Sequence, residues 1–306
     1  MKEIKSISIV GLGAIGAVYA SKLYDMEPEC IKVIANKERI KRYSKNGFSI
    51  NGKEYNFNYI TPEEETEPAD LVLVSVKYHH LNQAIKDMRN HVGTDTIILS
   101  LMNGISSEEI IGKEYGMDKM LYGMCVAIDA LRDDTNITYT NIGKIFFGEG
   151  TNDLQSSKVK DLKKLLENAN IPYEVPQDIM RSLWWKFMIN VGINQVSALL
   201  KAPYGVFQEI KESHELMESA MKEVIELSQK VGVNLNEDDI EEFDKVLKTL
   251  SPKGKTSMHQ DIEAGRKTEV EMFAGTVCEL GRKYDIDTPV NQFLLKAIHT
   301  LEKMEK

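Results

Sequence analysis

Cysteine is scarce in this 306-residue chain, and the three present, Cys30, Cys125 and Cys278, stand far apart without a C-x-x-C pair. That excludes a disulfide framework and gives no zinc-binding spacing, so buried, reduced thiols are expected. No apolar run is long enough to span a bilayer: the stretch from Ile7 to Ala20 is too short and is broken by three glycines. Those glycines occupy the place where a signal peptide would be cleaved, so no targeting segment is read and a cytoplasmic protein is expected. Basic excess is missing too. A net charge of −9 disfavours nucleic acid and anionic membranes as partners, while leaving room for a local basic pocket for phosphates. Repeats and low-complexity tracts are absent. What remains, 42% hydrophobic and 28% charged residues, is ordinary for a globular chain long enough for two domains.

The most informative segment is the first. Ile7-Ser8-Ile9-Val10 reads as a strand and runs into Gly11-Leu12-Gly13-Ala14-Ile15-Gly16, which continues as a helix through Ala17 to Leu23. This is the G-x-G-x-x-G pattern between a strand and a helix, the setting that a dinucleotide site requires. Gly11 permits the tight turn and Gly13 lets the backbone approach a pyrophosphate. Gly16 lets the helix pack on the strand with its first amides aimed at the phosphates. A bare turn would need none of this context.

Strand-like runs then alternate with helical patterns, as a doubly wound parallel sheet requires. Ile31–Ala35 reads as the second strand, and Phe48–Lys53 as a hairpin around Asn51-Gly52. The acidic stretch Glu63–Glu67 reads as a solvated loop. Asp70–Val76 and Thr96–Leu101 are nearly continuous apolar runs suited to central strands, and Tyr122–Ile128 and Lys144–Phe147 complete the set. Beyond about Gln177 helical patterns take over: Met180–Leu200, Glu212–Val231 and Glu269–Tyr284. The prolines of Ile171–Pro176 mark the change. The expected architecture is therefore α/β, a Rossmann-type doubly wound domain over 1–176 followed by an all-helical domain over 177–306. A cleft between them is the default site.

The second strand ends without the acidic residue that accepts a ribose 2′-hydroxyl in NAD sites. Asn36-Lys37-Glu38-Arg39 follows instead, and its two cations favour NADP, unless they are simply an exposed first helical turn.

Three further segments carry polar groups in apolar surroundings. Lys186, Asn190 and Asn194 recur every four residues and share a helix face. They either find hydrogen bonds within the fold or line a polar cleft, since burial without partners costs a few kcal/mol each. Asn103 follows the strand that ends near Leu101, where α/β sheets bind ligands, although Asn-Gly is also a common turn. The segment Ser257–Glu271 contains two capping-box patterns, Ser257 with Gln260 and Thr268 with Glu271. Glu269 then reads either as a first-turn acid or as a catalytic carboxylate. His79 and His80 read as surface residues at a helix start, and no metal site is expected.

Taken in order, the stations GLGAIG (11–16), DLVLVSVK (70–77), LMNG (101–104), FFGEG (146–150), WWKFMINVGIN (184–194) and SMHQDIEAGRKTEVE (257–271) resemble the ketopantoate reductase family over nearly the whole chain. The resemblance implies an NADPH-binding domain joined to a helical domain, and reduction of ketopantoate to pantoate on the route to coenzyme A. It implies that Lys186 is the catalytic lysine and Glu269 the catalytic acid. Asn103, Asn190, Asn194 and Ser257 then contact substrate. Gly11, Leu12, Gly13, Ala14, Ile15, Gly16, Asn36, Lys37, Arg39, Lys77 and Asn103 serve the cofactor. A lysine fits the reaction because hydride arriving at a ketone carbon leaves charge on oxygen, which an ammonium stabilises and protonates. Departures are Met102 where the family has glutamine, Asn36 for arginine, Tyr204 for a substrate-binding asparagine, and Ala274-Gly275 for Asn-Gly. They leave open another branched 2-keto acid as substrate. A non-catalytic NADP-binding protein is the reading from a different class. A helical second domain permits a homodimer without demanding one.

Overall fold

The computed structural model describes residues 3–304. It forms two compact units: the residues up to Asn103 with Ser107–Ile179, and Gly104–Ser106 with Met180 onward.

Among the described residues, twelve strands lie in the first unit. They are β1 (Ile7–Val10), β2 (Ile31–Ile34), β3 (Ser49–Ile50), β4 (Lys53–Glu54), β5 (Tyr59–Ile60) and β6 (Leu71–Val74), then β7 (Ile97–Ser100), β8 (Met120–Val126), β9 (Leu131–Asp133), β10 (Asn136–Thr138), β11 (Lys144–Gly148) and β12 (Tyr173–Glu174). The main sheet has the order β12-β11-β8-β7-β6-β1-β2-β5. From β5 to β8 every pair is parallel, whereas β11 runs antiparallel to β8. This is the expected Rossmann-type sheet with an antiparallel extension. Its central strands β1, β6 and β7 are buried at every position, which is why they read as unbroken apolar runs. Two clusters cover the faces, one built on Ile7, Ile9, Leu71 and Leu99, the other on Val10, Val72, Val74 and Ile98. All three cysteines are buried, and none forms a disulfide.

The Asn51-Gly52 hairpin forms as expected, with φ of 50° and 79° at the two turn residues. Sequence patterning does not reveal its partners: β3 pairs with β10, and β10 with β9, into a second sheet of order β4-β3-β10-β9. Aromatic rings lie at van der Waals spacing in this region, with Tyr43–Phe48 and Tyr24–Phe57 centroids 5.4 and 5.5 Å apart.

The second unit is helical, but its backbone differs from the pattern in three places. Met180–Leu200 is not one α-helix. It is α over Ile179–Ile189, a π-helix over Asn190–Asn194, and α again over Gln195–Leu200. Gly192 lets this wide turn lie against the helix Lys211–Lys230, since a Cβ there would come within 2.6 Å of Met221. A second π-helix, Glu271–Gly275, precedes the α-helix Thr276–Tyr284, and Glu269 stands in a bend ahead of it rather than in a first helical turn. Neither capping box forms. Thr256, not Ser257, caps the helix Ser257–Glu263, its hydroxyl accepting from the His259 N–H. Thr268 instead bonds Glu302 through both its N–H and its hydroxyl, while Glu271 pairs with His299. An adjacent threonine displaced the first pairing, and side chains farther along the chain displaced the second.

Buried amides bind this unit together. Gln195 accepts from the Ala274 N–H at 3.0 Å and donates to the Val191 carbonyl and the Asn291 side chain. Asn291 in turn donates to Glu223, whose carboxylate also receives the N–H groups of Val290 and Asn291 at the start of the helix Pro289–Met304. A carboxylate at a helix N-terminus is favoured both by the dipole and by the unpaired amides there. Replacing Glu223 by alanine strands three donors, so the urea midpoint of the Glu223→Ala variant should fall by the equivalent of about 3 kcal/mol.

Candidate active site

The candidate residues of the first unit stand beyond strand ends. Residues Val10, Ile34, Val74 and Ser100 are in register across β2, β1, β6 and β7. The segments that leave these strands therefore start from one edge of the sheet. Gly11, Asn36, Lys77 and Asn103, picked from sequence as cofactor contacts, lie on those segments. This is where open α/β sheets bind ligands.

The glycines of the first segment differ in what requires them. Gly11 has φ +101°, and a Cβ would lie 2.3 Å from the Ser75 carbonyl; at Gly16 one would lie 2.1 Å from the Gly11 carbonyl. Both are demanded by the fold itself. Gly13 is not: its φ is −73° and the nearest atom to a Cβ is the Ser75 carbonyl oxygen at 3.8 Å. The empty space at Gly13 suits the close approach of a phosphate. The helix Ala14–Met26 has no side-chain cap and no acid in its first turn. Its leading amides, those of half-buried Ala14 and Ile15 among them, therefore suit an anion, with Leu12 buried behind the turn.

Asn36 caps the helix Lys37–Asn46, its side-chain oxygen accepting from the Arg39 N–H at 2.9 Å; Asn36, Lys37 and Arg39 are all exposed. Lys77 and Asn103 are half-buried. Arg132 of β9, which sequence reading passed over, also reaches this edge and donates through its guanidinium to the Leu12 carbonyl. Beneath the turn that carries Asn103 runs a buried polar chain: Ser100 bonds Ser107 at 2.8 Å, and Ser107 donates to Glu108 at 2.8 Å. Burial pushes the Glu108 carboxyl up to about 7, although hydrogen bonds from Ser107 and the Gly123 N–H pull the other way.

The helical unit holds the other group of residues. Lys186 and Asn190 are half-buried, and Asn194 and Glu269 are 7% and 5% exposed. Asn194 donates to the Asn190 side-chain oxygen at 3.2 Å, so the structure brings these two together, whereas Ser257 is exposed. Asn190 and Asn194 bound the first π-helix, and Glu269 accepts through its carbonyl from Met272 and Phe273 at the start of the second. The Phe187 and Phe273 rings, 6.3 Å apart, and the Gln195–Ala274 bond join the two segments. π-turns within helices recur at functional sites because they re-aim side chains without breaking the helix. Of the residues that depart from the resembled family, Met102 is buried in an apolar cluster and Ala274 gives its N–H to Gln195. Tyr204 packs on Gly254, and burial pushes its phenol up. No signal in the sequence marks Gln195 or the π-turns, because helical periodicity does not register one extra residue per turn.

A dinucleotide-type sheet followed by such a helical unit defines a class, the oxidoreductases built on a Rossmann domain. Residues 7–152 match the family model described as Ketopantoate reductase PanE/ApbA, and residues 178–302 match Ketopantoate reductase PanE/ApbA C terminal. The chain belongs to the ketopantoate reductase family. It is 27% identical over 303 residues to the 2-dehydropantoate 2-reductase of Aquifex aeolicus, with 96% of each chain covered. With that of Archaeoglobus fulgidus it shares 25% over 301 residues, covering 98% and 99%. Among solved structures, D-mandelate dehydrogenase with NADH and anilino(oxo)acetate superposes with TM-score 0.87 at 22% identity, covering 98% and 99%. Dimeric ketopantoate reductase from Staphylococcus aureus gives 0.82 at 19%, covering 98% and 100%. Both share the fold. Among the described residues no helix is long and apolar enough to cross a membrane.

The buried carboxyl has a measurable consequence. Between its ordinary value of 4.5 and about 7 the folded protein keeps a proton on Glu108 that the unfolded chain has lost. This contribution to stability is full below pH 4.5 and disappears as pH rises through 7. Glu108→Gln should abolish it, and denaturant titrations at pH 5 and pH 8 should show the variant gaining on the parent by on the order of 2–3 kcal/mol at the higher pH.

Proposed function

We propose that the protein reduces a 2-keto acid to a 2-hydroxy acid with NADPH, ketopantoate to pantoate being the reaction its family relationship favours. The reading assigns nucleotide binding to residues 1–176 and substrate and catalysis to residues 177–306. The observation that carries it is the polar set Lys186, Asn190, Asn194 and Glu269, gathered around two π-turns in a chain of this family. A reduced nicotinamide, when bound, supplies the hydride. The glycine turn receives the pyrophosphate through the uncapped helix amides, with Lys77 and Asn103 as further contacts and Asn36, Lys37 and Arg39 at the ribose end.

In this reading Lys186 holds its ammonium against the ketone oxygen, where negative charge develops, and delivers a proton there. Glu269 orients that ammonium or accepts the substrate hydroxyl. The amides of Asn103, Asn190 and Asn194 and the Ser257 hydroxyl grip the carboxylate without adding charge, which leaves the lysine as the electrostatic partner of the reacting oxygen. A homodimer, as in the Staphylococcus aureus relative, is compatible with this assignment.

A second reading has its own support. Met102, Tyr204 and Ala274 replace residues that the family uses near substrate, so another 2-keto acid can be the preferred one, and an aryl keto acid belongs in the panel. Absorbance of the reduced cofactor, followed with NADPH and a range of 2-keto acids, distinguishes these readings. Fastest oxidation with ketopantoate supports the first and a different optimum supports the second. Tight NADPH binding with no turnover on any acid removes both and leaves a non-catalytic binding protein.

Two variants test the assignments. Lys186→Ala should lower kcat by about 10²–10³ with cofactor affinity unchanged; full activity in that variant would remove the lysine from the mechanism. Gly13→Ala should melt at the parent's temperature, because the fold leaves room for its methyl, yet bind NADPH at least about tenfold more weakly by fluorescence titration.

A further inference from the structure

We infer that Arg132 is the cation that receives the 2′-phosphate of NADPH, so that cofactor choice is made from the second sheet rather than from the turn after β2. The inference rests on the NADPH reading above.

Arg132 is half-buried on β9. Its guanidinium donates to two main-chain carbonyls, those of Leu12 and, at 2.7 Å, Asp134. Among the described residues no carboxylate pairs with it. A partly desolvated charge held only by neutral carbonyls is poorly compensated, and a guanidinium has five N–H groups, of which these bonds use two. The remaining donors suit an anion.

Its position narrows the anion. Leu12 is the middle residue of Gly11-Leu12-Gly13, so the guanidinium is held against the glycine turn. The same hairpin is tied to the helix that follows β2: the Asp134 carboxylate accepts from Asn46 at 2.9 Å and lies 3.6 Å from Arg42. Arg132 is thus braced between the turn and the Lys37–Asn46 helix, on the β2 side of β1, where a dinucleotide places its adenosine ribose. At the end of β2 the structure offers neutral Asn36, whose oxygen is already committed to the Arg39 N–H, and lysine and arginine side chains that are exposed. A braced planar fork matches a phosphate better than a flexible exposed ammonium does.

Calorimetric titration of NADPH and NADH into the parent, Arg132→Ala and Arg132→Gln tests this. The glutamine variant places an N–H where the Arg132 Nε stands, so it keeps a donor for the Asp134 carbonyl while losing the charge and the bond to Leu12, and melting temperatures report whether each variant is folded. The parent should prefer NADPH, and both variants should weaken NADPH on the order of 10- to 100-fold while changing NADH less than about threefold. Equal weakening of both cofactors in the glutamine variant would make Arg132 a pyrophosphate contact or a brace of the turn, and would overturn the inference. So would an unchanged NADPH affinity in a parent that discriminates. A parent that binds the two cofactors equally would instead defeat the NADPH reading itself, and the assignment of Arg132 with it.

Discussion

The first unit depends on a contact between two stretches of main chain. The Gly11 carbonyl lies so close to Gly16, and the Ser75 carbonyl so close to Gly11, that no side chain fits at either glycine. That closeness lets the first helix begin directly on the strand end, with its leading amides uncapped. The segments leaving the in-register ends of β1, β2, β6 and β7 then surround a glycine turn whose geometry is set by backbone alone.

The helical unit reaches the same end by different means. Its constraint is the chain of buried amides from Ala274 through Gln195 and Asn291 to Glu223, in which donors and acceptors meet without exposure to water. Buried polar groups that are fully matched specify one arrangement, because any slip leaves a donor or acceptor unpaired in a low dielectric. The residues with chemical potential flank this chain: Lys186 and Asn190 precede Gln195 on one segment, and Glu269 precedes Ala274 on the other.

What could be read in advance follows from how locally each feature is encoded. The parallel sheet was legible because its strands are covered on both faces and read as uninterrupted apolar runs, and the Asn51-Gly52 turn because few residues tolerate its backbone angles. The positions of Lys186, Asn190, Asn194 and Glu269 stood out as polar breaks in apolar patterns. The second sheet did not stand out, since Leu131–Asp133 and Asn136–Thr138 are three residues each and depend on β3, far away in sequence. Arg132 was invisible for the same reason. The capping box at Ser257 failed because Thr256, one residue earlier, takes the cap, and that at Thr268 because Glu302, distant in sequence, takes its hydroxyl.

The wide turn at Asn190–Asn194 also works as a gear. Each residue advances an α-helix by about 100°. Rewinding these five residues as ordinary α-helix, with none lost, would turn everything after them by about that angle relative to Lys186. Gln195 would then swing away from Ala274, and Ser197 from Thr256, which it now meets at 2.5 Å. The wide turn thus stores one residue more than a plain helix would hold, and its width sets the phase in which Gln195 and Ser197 face their partners.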